Sequence, residues 1–201
     1  MVLQQRKADE PMTAANAIPE ERILDAAYEL LLAIGMKRMN MADIARRAEV
    51  SRATLYRRWP NVRAVIAALV TREFAAVVGR AALPQGPGRS RVASTVVHLV
   101  GELRTHPLLR KIIEVDPEFL LPYVFERRGT STEMQLALVR DVVVQGQGDG
   151  SIRGGDPAML ARAVLLSAWS FTLTGPVLVA PSEYAALDAE LSELIDRYLA
   201  P

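Results

Sequence analysis

Between Asn40 and Asn61 the chain has room for two short helices, the turn that joins them, and little else. Asn40 can cap a first helix, Met41-Ala-Asp-Ile-Ala-Arg-Arg-Ala48, that carries Asp43 in its opening turn. Glu49-Val50 makes the turn. Ser51 is placed to cap the second helix through its hydroxyl, and Pro60 ends that helix by biasing Trp59 away from helical geometry. Only about two turns fit between these signals, and a helix that short is unstable on its own. It must dock on a scaffold, and Leu55 and Trp59, four apart and therefore on one face, are the residues able to do so. Arg52, Thr54, Tyr56, Arg57 and Arg58 cover the remaining surface. Cations and hydroxyls so placed suit phosphate and base-edge contacts, although a solvated charged face has the same look, and the residues upstream decide between the two.

Upstream, Pro19 suits a first helical position, and Glu20 and Glu21 favour the positive end of the dipole. Ile23, Ala27, Leu30, Leu31 and Ile34 repeat at helical spacing, with Gly35 as the natural stop. The net charge of +1 conceals a division: residues 37–63 carry eight basic and two acidic side chains, whereas residues 81–201 carry 11 basic and 14 acidic. One segment thus has a positive footprint on a mildly acidic chain. There is no cysteine, which excludes disulfides, thiolate metal sites and cysteine nucleophiles and is compatible with a reducing cytoplasm. Residues 1–17 mix charges with small polar residues and lack the apolar segment of a signal peptide, so a disordered tail is expected.

Asn40-Met-Ala-Asp-Ile-Ala-Arg-Arg-Ala-Glu-Val-Ser-Arg-Ala-Thr-Leu-Tyr-Arg-Arg-Trp-Pro-Asn61 resembles the helix-turn-helix of the tetracycline-repressor (TetR) family of one-component bacterial regulators. The likeness rests on Ile44-Ala45, Val50-Ser51, Thr54-Leu55-Tyr56 and an aromatic residue at position 59, all in register behind a helix that ends in glycine. It covers residue 18 to about residue 78. It implies an all-α fold with a three-helix DNA-reading head and a helical body for effector binding and dimerisation, about nine helices in all. It further implies a cytoplasmic, sequence-specific transcriptional regulator, a homodimer on a double-stranded operator, repressing by default and released by a small-molecule effector, with no cofactor. Arg52, Ala53, Thr54 and Arg57 occupy positions that face base edges in such proteins, and Ser51, Tyr56 and Arg58 positions that hold phosphates. Two residues depart from the pattern: Glu49 stands where glycine is usual, and Val62 where a phosphate-binding lysine is common, leaving Arg63 as its substitute. A left-handed Glu49 would cost about 1 kcal/mol.

Downstream, a helix over residues 61–82 presents Val65, Ile66, Leu69, Val70, Phe74 and Val77 to the core. Leu83-Pro-Gln-Gly-Pro-Gly-Arg-Ser90 reads as the linker, giving a tail at 1–17, a head at 18–83 and a body at 84–201. In the body, His98, Glu102 and His106 fall at steps of four, but steps of about 6 Å leave any one ion at most two of them. No metal site is expected; His98 and Glu102 read as polar lining of an effector cavity, and His106 as surface. Phe119, Tyr123, Phe125, Met134 and Trp169 are candidate cavity walls or ordinary core. From Ala163 to Ala180 no residue is charged. A membrane span is rejected because Gly175-Pro176 should break the run, and burial is expected instead. In the last helix Tyr184, Leu187, Leu191, Leu194 and Tyr198 follow a heptad rhythm, with Leu187, Leu191, Leu194 and Tyr198 expected at a dimer interface, an internal seam being the alternative. Nothing resembles a catalytic triad, a phosphate loop or an H-E-x-x-H motif, so no enzyme is expected. A helical scaffold or a ligand-converting enzyme that retains a helix-turn-helix is the rival reading.

Overall fold

A computed structural model describes residues 17–81, 85–126 and 128–201, and every regular element among them is helical. The expected tail and the proposed domain boundary at residue 83 therefore lie outside the described residues, apart from Ala17, which opens a helix. The chain divides into two compact units, one ending at Leu69 and the other beginning at Val70.

The first unit contains α1 (Ala17–Ile34), α2 (Met41–Arg47), α3 (Arg52–Arg58) and the start of α4 (Val62–Arg80), with a 3-10 turn at Met36–Arg38. Its punctuation is local and chemical. Gly35 leaves α1 with φ 75°, a left-handed conformation open to glycine, and donates to Leu31 at 2.9 Å. Asn40 Oδ1 accepts from Asp43 N–H at 2.9 Å, Ser51 Oγ from Thr54 N–H at 3.0 Å, and Asn61 Oδ1 from Ala64 N–H at 3.0 Å, so one side-chain cap opens each of α2, α3 and α4. Trp59 leaves α3 at φ −132°, ψ 125°, the extended geometry that Pro60 demands. Ile23, Leu31, Ile44, Leu55, Val65, Ile66 and Leu69 are almost or fully sealed from solvent. Leu24 and Ala26 join this core, whereas Ile34 is 37% exposed, so the buried stripe of α1 sits one step N-terminal of the expected one.

In the second unit the rest of α4 is followed by α5 (Gly88–Thr105), α6 (Pro107–Val115), α7 (Leu121–Phe125), α8 (Thr130–Gly148), α9 (Pro157–Trp169), α10 (Gly175–Leu178) and α11 (Tyr184–Leu199). The core is built from α5, α8, α9 and α11 around Val96, Val100, Val143, Val164, Leu191, Ile195 and Leu199. Asp156 caps α9, accepting from Ala158 N–H at 3.0 Å, whereas no side chain caps α8 behind Gly129. Between α5 and α11, the buried Arg104 guanidinium bonds Asp188 at 2.6 Å and lies 4.6 Å from the centre of the Tyr184 ring.

Two expectations fail here. Gly175-Pro176 does not break the apolar run, because a π-helical turn at Ser170–Thr174 widens the backbone just ahead of Pro176, and the helix passes through to Leu178. Pro157–Leu178 is thus 22 residues long with mean hydropathy 1.2, enough by length and composition alone to cross a bilayer. Nor is it buried on most sides: Leu160, Ala161, Val164, Leu165 and Ala168 enter the core, but Met159 (55%), Leu166 (67%), Val177 (80%) and Leu178 (76%) face outward. Along α11 the heptad is likewise divided. Leu191 is fully buried with Ile195 and Leu199, so it belongs to the chain's own core rather than to an outer interface, while Leu194 and Tyr198 are 46% and 36% exposed. Four-residue spacing from Leu191 runs down the inner face, and Leu194 and Tyr198 lie one step round the helix.

A polar joint ties the start of α5 to the α8–α9 loop. Asp149 Oδ2 accepts from Gly88 N–H at 2.8 Å, its Oδ1 from Ser151 N–H at 2.9 Å, and Ser151 Oγ accepts from Arg89 N–H at 3.1 Å. Gly88 sits so close to Gly146 that a Cβ on it would meet backbone at 2.3 Å, so glycine is required by space. Hydrogen bonds from Ser151, then from Gly88, hold the Asp149 carboxyl below its ordinary pKa. A folded-state pKa below the unfolded one stabilises above the unfolded value, about 4, and that contribution disappears as pH falls through the folded value. Urea titrations across the acid range should therefore show the wild type more stable than Asp149→Asn at pH 7, with the gap closing below about pH 4.

Candidate functional site

The face that α3 turns outward is fixed by the face it buries. Leu55 is wholly buried and Trp59 is 7% exposed, a docking worth about 1.5–3 kcal/mol for the leucine alone. Ser51, Arg52, Ala53, Tyr56, Arg57 and Arg58 are then exposed together, and Thr54 is partly covered, its hydroxyl 2.8 Å from Ser51 Oγ. Arg63 is exposed one residue into α4, beside Val62. All eight residues expected to meet DNA thus belong to one short stretch of the first unit. Glu49 takes φ 55°, the left-handed turn expected of a residue standing in a glycine position, and its carboxylate receives the Arg22 guanidinium at 2.8 Å.

The arginines of this unit divide by partner. Arg46 pairs with Asp43 at 2.7 Å, Arg47 with Glu29 at 2.5 Å, and Arg58 with Glu20 while its guanidinium lies 5.5 Å from the Trp59 ring centre. Arg52 and Arg57 have no ion pair or hydrogen-bond partner for their side chains among the described residues. Glu20 and Glu29 were not legible as parts of this surface. Glu20 lies 38 residues from Arg58, and only the tertiary fold brings the pair together.

The second unit holds a cavity of about 40 Å³. Its walls are Phe74 of α4, Val96, Leu99, Val100 and Leu103 of α5, Gln135, Leu138 and Val139 of α8, Leu165, Ala168 and Trp169 of α9, and Thr172 of the π turn. Of the seven residues expected at an effector cavity, Trp169 alone is among these walls. His98 and Glu102 are exposed, because they share the α5 stripe opposite Val96, Leu99 and Leu103. Phe119 is buried with its ring 5.5 Å from that of Tyr123, away from the cavity walls, and Met134 is 37% exposed. Phe125 has a side chain outside the described set. The apolar stripe Val96-Leu99-Val100-Leu103, at steps of three, one and three, is the sequence signal for this wall.

His106 is not surface. Its Nε2 lies 3.6 Å from Glu73 Oε2, and burial pulls its pKa below the ordinary histidine value, outweighing the opposing pull of Glu73. No cluster that could hold a metal ion occurs among the described residues.

Residues 23–69 match the family model described as bacterial regulatory proteins, tetR family. A Mycobacterium bovis protein described as an uncharacterized HTH-type transcriptional regulator is 35% identical over 178 residues, 89% of this chain and 93% of its own length. Among solved structures, the regulator FadR from Bacillus subtilis in complex with stearoyl-CoA aligns with TM-score 0.63 at 16% identity, over 87% of this chain and 96% of that one. A regulator from Saccharomonospora viridis in complex with choline aligns with TM-score 0.60 at 19% identity, over 90% and 97%. At these identities the structures establish a common fold and no more.

Because Glu20 neutralises Arg58, any duplex phosphate that meets Arg58 has to displace a carboxylate. Glu20→Gln should raise duplex affinity alike for all sequences and steepen the dependence of log K on log salt by about one. Fluorescence-anisotropy titrations at several salt concentrations measure this, and in an Arg58→Ala background the gain should vanish.

Proposed function

This chain belongs to the tetR family of bacterial regulatory proteins and is a DNA-binding transcriptional regulator, and we propose that it acts as a homodimeric repressor released by a small molecule bound in the second unit. The observation that carries the reading is the pair Arg52 and Arg57, exposed and without a partner among the described residues, on a capped helix whose opposite side is held by Leu55 and Trp59. A guanidinium free of internal partners can pair bidentately with guanine in the major groove, Ala53 can touch a thymine methyl, and Ser51, Tyr56, Arg58 and Arg63 are placed for phosphates.

Dimerisation is supported by the outward apolar residues of α9, α10 and α11: Met159, Leu166, Val177, Leu178, Leu194 and Tyr198. Bare hydrocarbon on this scale marks an interaction site, and a two-fold arrangement would present two heads to successive major grooves, ~34 Å apart. Leu187 is half-buried, and a Cβ on Gly175 would meet it at 3.1 Å. The effector reading is supported by the cavity, and by solved relatives of the same fold that hold stearoyl-CoA or choline. Phe74 borders the cavity on the same unbroken helix, α4, that carries Val65, Ile66 and Leu69 of the first core. An occupant that favours one position of α4 would shift the population of head spacings and lower operator affinity. The protein would then work in the cytoplasm and leave its ligand chemically unchanged.

Two outcomes test this reading. In a binding-site selection, alanine at Arg52 or Arg57 should relax base preference at one position per half-site by about 1–3 kcal/mol, whereas Tyr56→Phe should weaken all sequences alike; unchanged preference with both arginines removed refutes the assignment. Sedimentation of the wild type should give a dimer at micromolar concentration, while Leu166→Glu with Leu194→Glu should give a folded monomer whose operator affinity is reduced on the order of 10²–10⁴-fold. A monomeric wild type refutes the dimer.

A further inference from the structure

Resting on the reading of the cavity as the effector site, we propose that its ligand is a compact, uncharged, largely apolar molecule that offers one hydrogen-bond acceptor, such as an ester or ketone carbonyl, to the side-chain amide of Gln135. Among the described residues, no Asp, Glu, Lys, Arg or His lines the cavity. A carboxylate, phosphate or ammonium taken into it would lose its hydration without meeting an opposite charge, a loss that apolar contacts of the same size do not offset.

The polar groups present limit the choice further. Trp169 Nε1 and the side-chain oxygen of Gln135 are 2.9 Å apart. An indole N–H can only donate, so the Gln135 atom facing it is the oxygen, and the amide orientation follows. The NH₂ of Gln135, with two donors, makes no hydrogen bond to any described residue. The Thr172 hydroxyl is already engaged, donating to the Ala168 carbonyl at 2.8 Å. Both donors of the Gln135 amide are therefore open, and their complement is an acceptor. Trp169 and Thr172 reach the wall from either side of the point where α9 gives way to the π turn at Ser170–Thr174, an interruption of the kind that concentrates at functional sites. A free space of about 40 Å³ admits a few water-sized groups, so the part of the ligand that enters it is small.

Trp59 and Trp169 are the two tryptophans of the chain, so the full-length Trp59→Phe variant reports from the cavity wall alone, and the melting temperature of the unaltered chain is a parallel readout. Three probes of one chain length are compared at neutral pH: methyl hexanoate, hexanoate and hexyltrimethylammonium. Methyl hexanoate should change Trp169 emission and raise Tm, with hexanoate and the ammonium at least roughly a hundredfold weaker. Gln135→Leu should weaken the ester by about tenfold without loss of the folded-state Tm. If hexanoate or the ammonium shifts Trp169 emission as strongly as the ester, the ligand class is wrong and the cavity reading stands. If Gln135→Leu binds the ester as well as the wild type does, the role given to the amide is wrong. If none of the three probes moves either readout, the cavity is no ligand site, and the proposal falls with the effector reading it rests on.

Discussion

The burial of Leu55 and Trp59 is the contact on which the rest of the head depends. Seven residues of α3 cannot hold helical geometry in water, because nucleation consumes most of what so few hydrogen bonds return. Two constraints replace length. Ser51 supplies a cap at one end, and the burial of the apolar pair fixes which face of the helix is turned inward. Orientation is thereby decided by packing and chemistry by what packing leaves outside. Arg52 and Arg57 are presented because Leu55 and Trp59 are not, and a helix more stable in isolation would gain nothing in reading precision from a looser anchor.

Partnering among the arginines refines that division. A guanidinium held by Glu20 or Glu29 adds little net field at the surface and is kept in one place, which suits a group that sets register rather than one that reads a base. An arginine without an internal partner keeps its planar fork available for a bidentate pair. The positive stretch visible in the sequence is in this way divided by the fold into screened and unscreened members, with Glu20 and Glu29 of α1 and Asp43 of α2 as the screening acids.

The head was legible because its determinants are local. Asn40, Ser51, Gly35 and Pro60 act on backbone within a turn of themselves, so a linear reading captures them, and even the left-handed Glu49 could be inferred from its place in the pattern. The second unit was legible as a set of helices and illegible as an arrangement. Periodicity tells which residues of α5 lie on one stripe but not which of its stripes meets α8 and α9, and polar residues at regular spacing drew the cavity toward His98 and Glu102 when Leu99 and Leu103 form it. The Gly175-Pro176 break was misjudged for a related reason: proline ends an α-helix through its missing N–H, and a π turn just before it supplies a backbone in which that N–H is not needed.

The same ambiguity accounts for the two-sided helices at the end of the chain. Both α9 and α11 are apolar on more than one face, and sequence cannot say which face a core and which a partner will claim. In α11 the core takes Leu191, Ile195 and Leu199 and leaves Leu194 and Tyr198 outside. In α9 the two roles fall on consecutive residues: Leu165 borders the cavity and Leu166 is 67% exposed. Neighbours in a helix are about 100° apart and rigidly joined, so α9 cannot turn about its axis to make room beside Leu165 without carrying Leu166 with it. Whatever covers the outer face of α9 is in mechanical register with whatever fills the space behind it, and neither surface can be altered alone.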